Sequence, residues 1–454
     1  MLKELSVTNF KSWKQISKMR LAPITGLFGT NSSGKTSILQ LLLMLKQTVE
    51  SPDRAQALIF GDGKTPANLG AFRDVLFRHE AQNTLSWGLA WEFARPFAVT
   101  DPADVKQVLF AGRELTFDAE VAEGTSGRLL VNRMSYEIAN RRFTMRRQGV
   151  SETKYELHAE GAGFQLVRNR GRPRALPGPV KCYGFPDQVK AYFQNAGFLA
   201  DLQLAFEEMF GRVYYLGPLR EYPQRQYPWA GSEPADMGRR GERVVDALLA
   251  SREFPFGISL GKGRKRPTLE KYVAMWLKRL GLIHDFSIEA IAKDSNLYRV
   301  RVQRTPTSAS VLITDVGFGV SQILPALVLC FYVPEGSTIV LEQPEIHLHP
   351  SVQAGLADVF IDAVKRRKVQ IIFESHSEHL LRRLQRRVAE EKVAPESTAL
   401  YFCQMNDGQS ELVPLKVDIF GNIENWPKDF FGDEFGEMAA MTTAAMNRKK
   451  AMGQ

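Results

Sequence analysis

The sequence predicts an α/β fold cut in two by an insertion. Three observations predict it. A strand, a glycine-rich loop and an apolar helix follow one another near the N-terminus, over residues 24–47. Two short, wholly apolar segments at 338–341 and 369–373 each precede a helical pattern. Between these ends, from 85 to 215, short segments of alternating apolar and polar residues recur. Wholly apolar strands suit a buried parallel sheet, whereas alternating ones suit antiparallel pairing with one wet face. The expected units are 1–84, the first half of the fold; 85–285, an insertion that is β-rich and then helical; 286–405, the second half; and 406–454, a tail.

Residues 2–9 and 24–29 read as strands. The helix over 37–47 carries Ile38, Leu39, Leu42, Leu43 and Leu45, which give it a mostly apolar surface. In the insertion, LSWGLAWEF, ELTFDAEVA, RLLVNRMSYEIA, RRFTMRR, KYELHAE and GFQLVRN have the alternation of strands joined as hairpins. Pro173, Pro177 and Pro179 mark a loop. A helix is expected over 189–210, an irregular path over 218–241 and an amphipathic helix over 269–280. Strands follow at 286–292, 298–303 and 310–313. Then come a buried helix at 321–331, the strand 338–341, a helix at 351–364, the strand 369–373 and a basic helix at 378–391. No long heptad run is present, which argues against a coiled-coil arm.

Composition narrows the class. The chain has 454 residues, 44% hydrophobic and 24% charged, enough to bury a core. No run reaches the roughly eighteen apolar residues of a membrane span. The opening MLKELSVTNF lacks the apolar stretch of a secretory signal. Cys182, Cys330 and Cys403 are too few and too scattered for a disulfide framework or a zinc motif, so a cytoplasmic protein is expected. Net charge is +9, with basic clusters at 141–147, 168–174, 262–266, 365–368 and 382–387. Such a balance admits nucleic acid as a partner, although a solvated face is the more common meaning of any one cluster.

Gly29-Thr30-Asn31-Ser32-Ser33-Gly34-Lys35-Thr36 fits G-x-x-x-x-G-K-[ST] in full. The glycines let backbone N–H groups curl around an anion, and the helix opening at Ser37 adds its dipole. Asn31, Ser32, Ser33, Gly34, Lys35, Thr36 and Ser37 are therefore the candidate ATP-binding residues. Lys35 would reach the β- and γ-phosphates, and the Thr36 hydroxyl would ligate Mg²⁺. A second signal is the strand 338–341 ending in Glu342-Gln343-Pro344-Glu345. An acid at the end of an apolar strand is a Walker B arrangement, in which Glu342 would hold Mg²⁺ directly or through water. Gly317, Gly319 and Ser321 form a glycine-rich turn feeding a helix, a second anion-binding device. His376, at the end of the strand 369–373, stands where a γ-phosphate could sit.

This order of motifs resembles the ABC-type ATPase heads of the SMC, RecF and OLD group. Residues 5–12, LSVTNFKS, are similar to that group's N-terminal strand, and 341–350, LEQPEIHLHP, to a stretch of OLD-like and related AAA-labelled ATPases. Residues 215–220 and 422–431 look like a subgroup with an uncharacterised C-terminal domain. The resemblance implies a head-to-tail homodimer or higher homo-oligomer. Gly317, Gly319 and Ser321 of one copy would act in trans on ATP held by Lys35, Thr36, Glu342 and His376 of the other. It also places Lys11 and Ser12 near the nucleotide. The group's Q-loop glutamine has no clear match, and Asp74 is the substitute considered. Gly317 occupies the usual serine position of the signature.

The group's catalytic glutamate would stand at position 343, where this chain has Gln343. An amide can orient water but cannot take its proton at neutral pH. Three readings follow: Glu345 is the base, Gln343 only orients water, or hydrolysis is slow and ATP mainly holds the dimer closed. His347 and His349 form an H-x-H pair that could bind metal if it lay on a strand. OLD-type enzymes carry a nuclease domain after the head, and the residues following Arg387 are too few for one.

The function expected is thus a slowly hydrolysing ATPase that regulates a separate effector protein, a nuclease in antiphage defence by the same resemblance. The alternative is a DNA repair or maintenance ATPase that clamps DNA through its basic clusters. A transport ATPase head is the third reading, which the long insertion suits poorly.

Overall fold

The computed structural model describes residues 1–80, 82, 84–100, 106–149, 151–161, 163–172, 175–253, 258, 266–427, 430 and 434–451. Pro173, Arg174, Lys262, Arg264 and Lys265, named in the loop and basic-cluster readings above, lie outside these residues.

The chain opens with β1 (Leu2–Phe10) and β2 (Trp13–Arg20), an antiparallel pair, and then β3 (Ile24–Gly29). Every residue of β3 is buried, as its apolar sequence requires. The phosphate loop leads into α1 (Lys35–Glu50), whose Leu41 to Leu45 run is wholly buried. The short α2 (Phe72–Val75) follows. Next come the long strands β4 (Leu85–Thr100) and β5 (Val108–Glu123), then β6 (Leu129–Ile138), β7 (Arg141–Arg147) and β8 (Tyr155–Glu160). All pair antiparallel with alternating burial, and β1 pairs with β4. The result is a seven-stranded sheet in the order β2-β1-β4-β5-β6-β7-β8.

Two helices, α3 (Gln188–Tyr192) and α4 (Leu199–Gly211), stand where the periodicity predicts one. The break has a local cause. Phe193 turns extended and bridges Arg168, while the Asn195 amide bonds the backbone at Gln165 and Val167. The segment 163–169, expected as a strand, therefore contributes only an isolated bridge.

β9 (Val213–Leu216), β10 (Tyr227–Pro228), α5 (Val244–Glu253) and α6 (Leu269–Arg279) complete the middle of the chain. β11 (Asp285–Ala290), β12 (Leu297–Gln303) and β13 (Ser310–Leu312) join β10 in a small sheet of their own. Then follow α7 (Phe318–Tyr332), β14 (Thr338–Glu342), α8 (Pro350–Arg367), β15 (Gln370–Glu374), α9 (Glu378–Ala389) and the hairpin β16 (Thr398–Asn406) with β17 (Gln409–Leu415). The chain ends in α10 (Glu434–Ala451).

The phosphate loop hangs from a six-stranded sheet in the order β17-β16-β3-β15-β14-β9. Its strands β16, β3, β15, β14 and β9 are all parallel. Parallel strands align their carboxyl ends, where ligands of open α/β sheets gather. The strand pairings cross the unit boundaries expected from the sequence. β1 and β2, expected in the first half of the head, pair into the insertion's sheet. β9, expected in the insertion, and β17, expected in the tail, join the head's sheet. Two apolar cores result, one between the seven-stranded sheet and α1 with α4, the other around α7, α8 and α9.

Candidate functional site

The site begins at the carboxyl end of β3. Gly29 has φ 134°, and a Cβ there would lie 2.0 Å from the Cys403 carbonyl oxygen on β16. Gly34, at φ 89°, precedes α1, and a Cβ on it would meet the Ser410 and Ser12 hydroxyls and the Trp13 indole within 2.8 Å. Only glycine fits at either end of this loop. Trp13 Nε1 donates to the Gly34 carbonyl at 3.0 Å, and the Ser410 hydroxyl donates to Ser12 Oγ at 2.6 Å. Ser12 thus lies against the Gly34 end of the loop. Lys11 has φ 54°, and its N–H bonds Val75 O.

No side chain caps the N-terminus of α1, and its first turn holds no acid. An uncapped helix start after a glycine turn is the kind of place that suits an anion. Asn31 and Ser32 are exposed, Ser32 with φ 58°, whereas Ser33 is buried with its hydroxyl on Thr30 O. Ser37 follows in the first turn, its N–H on Gly34 O. The Lys35 ammonium is buried against the Gly29 and Thr30 carbonyls at 3.1 and 2.6 Å. Burial holds its pKa below the usual lysine value, partly offset by Glu374.

Five residues stand at the carboxyl ends of β14 and β15. β14 and β15 place Glu342 and Glu374 side by side in register. Glu374 Oε2 accepts from the Thr36 hydroxyl at 2.7 Å. Glu342 Oε1 instead accepts from the Tyr215 phenol, at 2.9 Å, on β9. Burial first, and the neighbouring Glu374 second, push the Glu342 carboxyl up to about 7. Glu345 is also buried; its Oε1 accepts the His376 backbone N–H at 2.7 Å, and its Oε2 has no partner. Burial raises its pKa, as it does that of Glu374. The His376 imidazole is exposed on its outer side, yet partial burial and the Lys35 charge hold its pKa below the usual value. It is neutral at pH 7 and donates from one ring nitrogen only. Gln343, half-buried, takes φ 42°, and its N–H bonds the Glu374 carbonyl at 3.1 Å.

The donor set fits the implied metal. One hydroxyl and two carboxylates offer hard oxygens that leave room for waters and phosphate, the ligation Mg²⁺ takes. Glu374 and Tyr215 were not assigned by sequence reasoning. Glu374 had a readable signal, because QIIFE ends an apolar strand in an acid just as TIVLE does. Tyr215 had none.

The signature glycines open the exposed end of α7. Gly317 is its N-cap, and a Cβ there would meet nothing within 4 Å. At Gly319 it would meet only Leu282, at 3.6 Å. Neither is a positive-φ residue. Ser321 does not share their exposure. It is buried, and its hydroxyl donates to the Phe318 carbonyl one turn back, so it is not presented to an outside ligand. Asp74 is likewise occupied locally, accepting the Ala71 N–H at the start of α2.

The H-x-H pair is not on a strand. His347 sits at φ 61° in a turn, and His349 caps α8 through Ser351. Among the described residues, no group of three or more His, Cys, Asp or Glu is placed to hold a metal by itself. The basic clusters on α8 and α9 are largely paired: Arg383 and Arg387 with Asp358, Arg366 with Asp362, Arg382 with Glu378 and Arg386 with Glu390. Among the described residues, no helix is long and apolar enough to cross a membrane.

Family comparisons match both ends of this site. Residues 1–84 match the family described as "AAA ATPase domain", and 260–382 match "AAA domain, putative AbiEii toxin, Type IV TA system". Residues 393–441 match a family described as a protein of unknown function, DUF3696. A search of curated proteins finds no match. Among solved structures, the chain is similar to an SMC head bound to the C-winged helix domain of ScpA, at 10% identity and TM-score 0.46, covering 92% of this chain and 98% of that one. It is similar to the SMC head domain from Thermotoga maritima at 12% identity and TM-score 0.42, covering 92% and 99%. An SMC head with an extended coiled coil, bound to the C-terminal domain of ScpA derived from Pyrococcus furiosus, matches at 11% identity and TM-score 0.42, covering 91% and 96%.

Proposed function

We propose that this chain is a Mg²⁺-dependent ATPase that hydrolyses slowly, closes head-to-tail on ATP as a homodimer, and through that closure regulates a separate effector protein. The observation that carries the reading is the glycine pair at the head of α7. Neither backbone angle nor internal packing asks for glycine at 317 or 319. What a bare helix start without side chains does offer is close approach of an outside group, and phosphate is what helix N-termini receive best. The flanking surface is apolar: Leu219, Tyr222 and Phe318 are 68%, 67% and 57% exposed, a surface suited to a second copy.

In each active site the N-terminal N–H groups of α1 would hold the phosphates. Lys35 would exchange the Gly29 and Thr30 carbonyls for phosphate oxygens. Thr36, Glu342 and Glu374 would hold Mg²⁺, which supplies charge neutralisation at the phosphate oxygens. Glu345, with raised proton affinity and one free oxygen, would accept the proton of the attacking water. Gln343 orients that water but cannot take its proton, and neutral His376 donates to the terminal phosphate. A base reached through Glu345 rather than position 343 accords with slow turnover.

The effector we infer is a nuclease of antiphage defence, on the likeness to OLD-type enzymes alone. The paired arginines of α8 and α9 count against the DNA-clamp alternative, because ion-paired cations have less to offer a phosphate backbone. The test is to purify the protein from its host with and without ATP, using Lys35→Ala as control. A partner protein retained only with ATP and only by the wild type supports the reading. Equal recovery with both, together with no ATP hydrolysis, overturns it.

A further inference from the structure

Arg220 lies in the loop that leaves the carboxyl end of β9. Its residue is 4% exposed, and none of its three guanidinium nitrogens has a hydrogen-bond partner. Burial lowers its pKa to about 10, so it remains charged at neutral pH. The charges that act on it are Tyr215, Glu342 and Glu345, which places it at the same carboxyl-end cluster that faces the phosphate loop. Glu345 Oε2, in that cluster, is buried without a partner too. A buried cation with five unused N–H groups is costly unless a state exists in which an acceptor meets it. The backbone on each side of Arg220 is fixed: Gly217 N–H donates to Arg239 O at 2.7 Å, and Glu221 N–H to Arg240 O at 2.9 Å. The loop is two-faced. Arg220 points inward, while Leu219 and Tyr222 are exposed, the Tyr222 ring 6.2 Å from that of Phe318 beside the signature glycines.

We propose that Arg220 is a terminal-phosphate sensor acting in cis, which binds the γ-phosphate of ATP and couples its presence to the dimerising surface through the Leu219–Tyr222 loop. The acceptor class is an oxyanion. A guanidinium fork matches phosphate oxygens bidentately, and a carboxylate-rich pocket needs such a cation once a further anion enters it. ADP leaves Arg220 without its acceptor, so the loop distinguishes ATP from ADP. This inference rests on the ATP-binding reading of the phosphate loop.

The test uses the full chain as wild type, Arg220→Met, Arg220→Lys and Lys35→Ala, with ADP and a hydrolysis-resistant ATP analogue as probes. Binding affinity for each nucleotide and nucleotide-free melting temperature are measured. R220M should weaken the ATP analogue by at least about tenfold while leaving ADP within about twofold. R220K should recover part of that loss, and the nucleotide-free melting temperature of R220M should equal or exceed that of the wild type. Equal weakening of both nucleotides, or no change in either, overturns the sensor role. A wild-type chain that binds neither nucleotide, like Lys35→Ala, overturns the ATP-binding reading itself.

Discussion

The Thr36 hydroxyl donates to Oε2 of Glu374 at 2.7 Å, joining the phosphate loop to the strand next to it. The acid at the end of β15 therefore reaches the residue expected to ligate Mg²⁺, whereas Glu342 at the end of β14 bonds Tyr215. Glu374→Gln should weaken binding of Mg·ATP by about tenfold, roughly 1.4 kcal/mol. Binding of ATP in EDTA should hold or improve, since a negative charge near the phosphates is gone. Calorimetric titration with and without metal checks this. Equal losses in both would place Glu374 outside the metal site.

Positions 343 and 345 separate the readings of hydrolysis. Gln343→Glu should raise kcat, because it supplies a base at the mouth of the site. Glu345→Gln should lower kcat by about 10²-fold, the scale of a lost general base, with nucleotide affinity kept. Steady-state ATPase assays decide it. If E345Q retains full turnover, Glu345 only braces the His376 backbone.

The signature glycines give a prediction with two readouts. Gly319→Glu should leave the melting temperature unchanged or slightly raised, since its Cβ meets only Leu282 and an acid suits a helix N-terminus. The same change should abolish ATP-dependent association, because it closes the approach to phosphate and adds repulsion. Loss of folding would show that these glycines serve the monomer.

Much of the six-stranded sheet and its glycine-rich loop was legible locally. The loop 29–36, the apolar strands β3, β14 and β15 and the helices behind them announce themselves because parallel strands buried on both faces are apolar throughout. What was not legible depends on pairing at a distance. β1 and β2 join the insertion's sheet because β1 meets β4 about eighty residues later, a choice that alternation alone does not fix. Tyr215 on β9, the edge strand beside β14, and Arg220 in the loop that leaves it enter the site together, and only the sheet order reveals that. The inward turn of Ser321 onto Phe318 was hidden for a related reason, since spacing alone does not show which way a helix faces its side chains.

Glu342 predicts a pH dependence in metal-free buffer. Its folded carboxyl, near 7, is raised above its usual value of 4.5. Between those values the unfolded chain loses its proton while the folded chain keeps it, so stability falls as pH rises through that window. The full effect is on the order of 3 kcal/mol. Chemical denaturation in EDTA at pH 5 and pH 8 should show the decline, and Glu342→Gln should flatten it. A wild-type curve that rises over the same window would contradict the assignment.

The central claim is that ATP closes two copies of this head on each other. Its most direct measurement is the molar mass in solution, by light scattering, of Glu345→Gln with Mg²⁺ and either ATP or ADP. A monomer with ADP, a dimer with ATP, and a monomer in both when Lys35→Ala is added is the predicted result. A mass that stays the same in every nucleotide state, whether monomer or dimer, would contradict it.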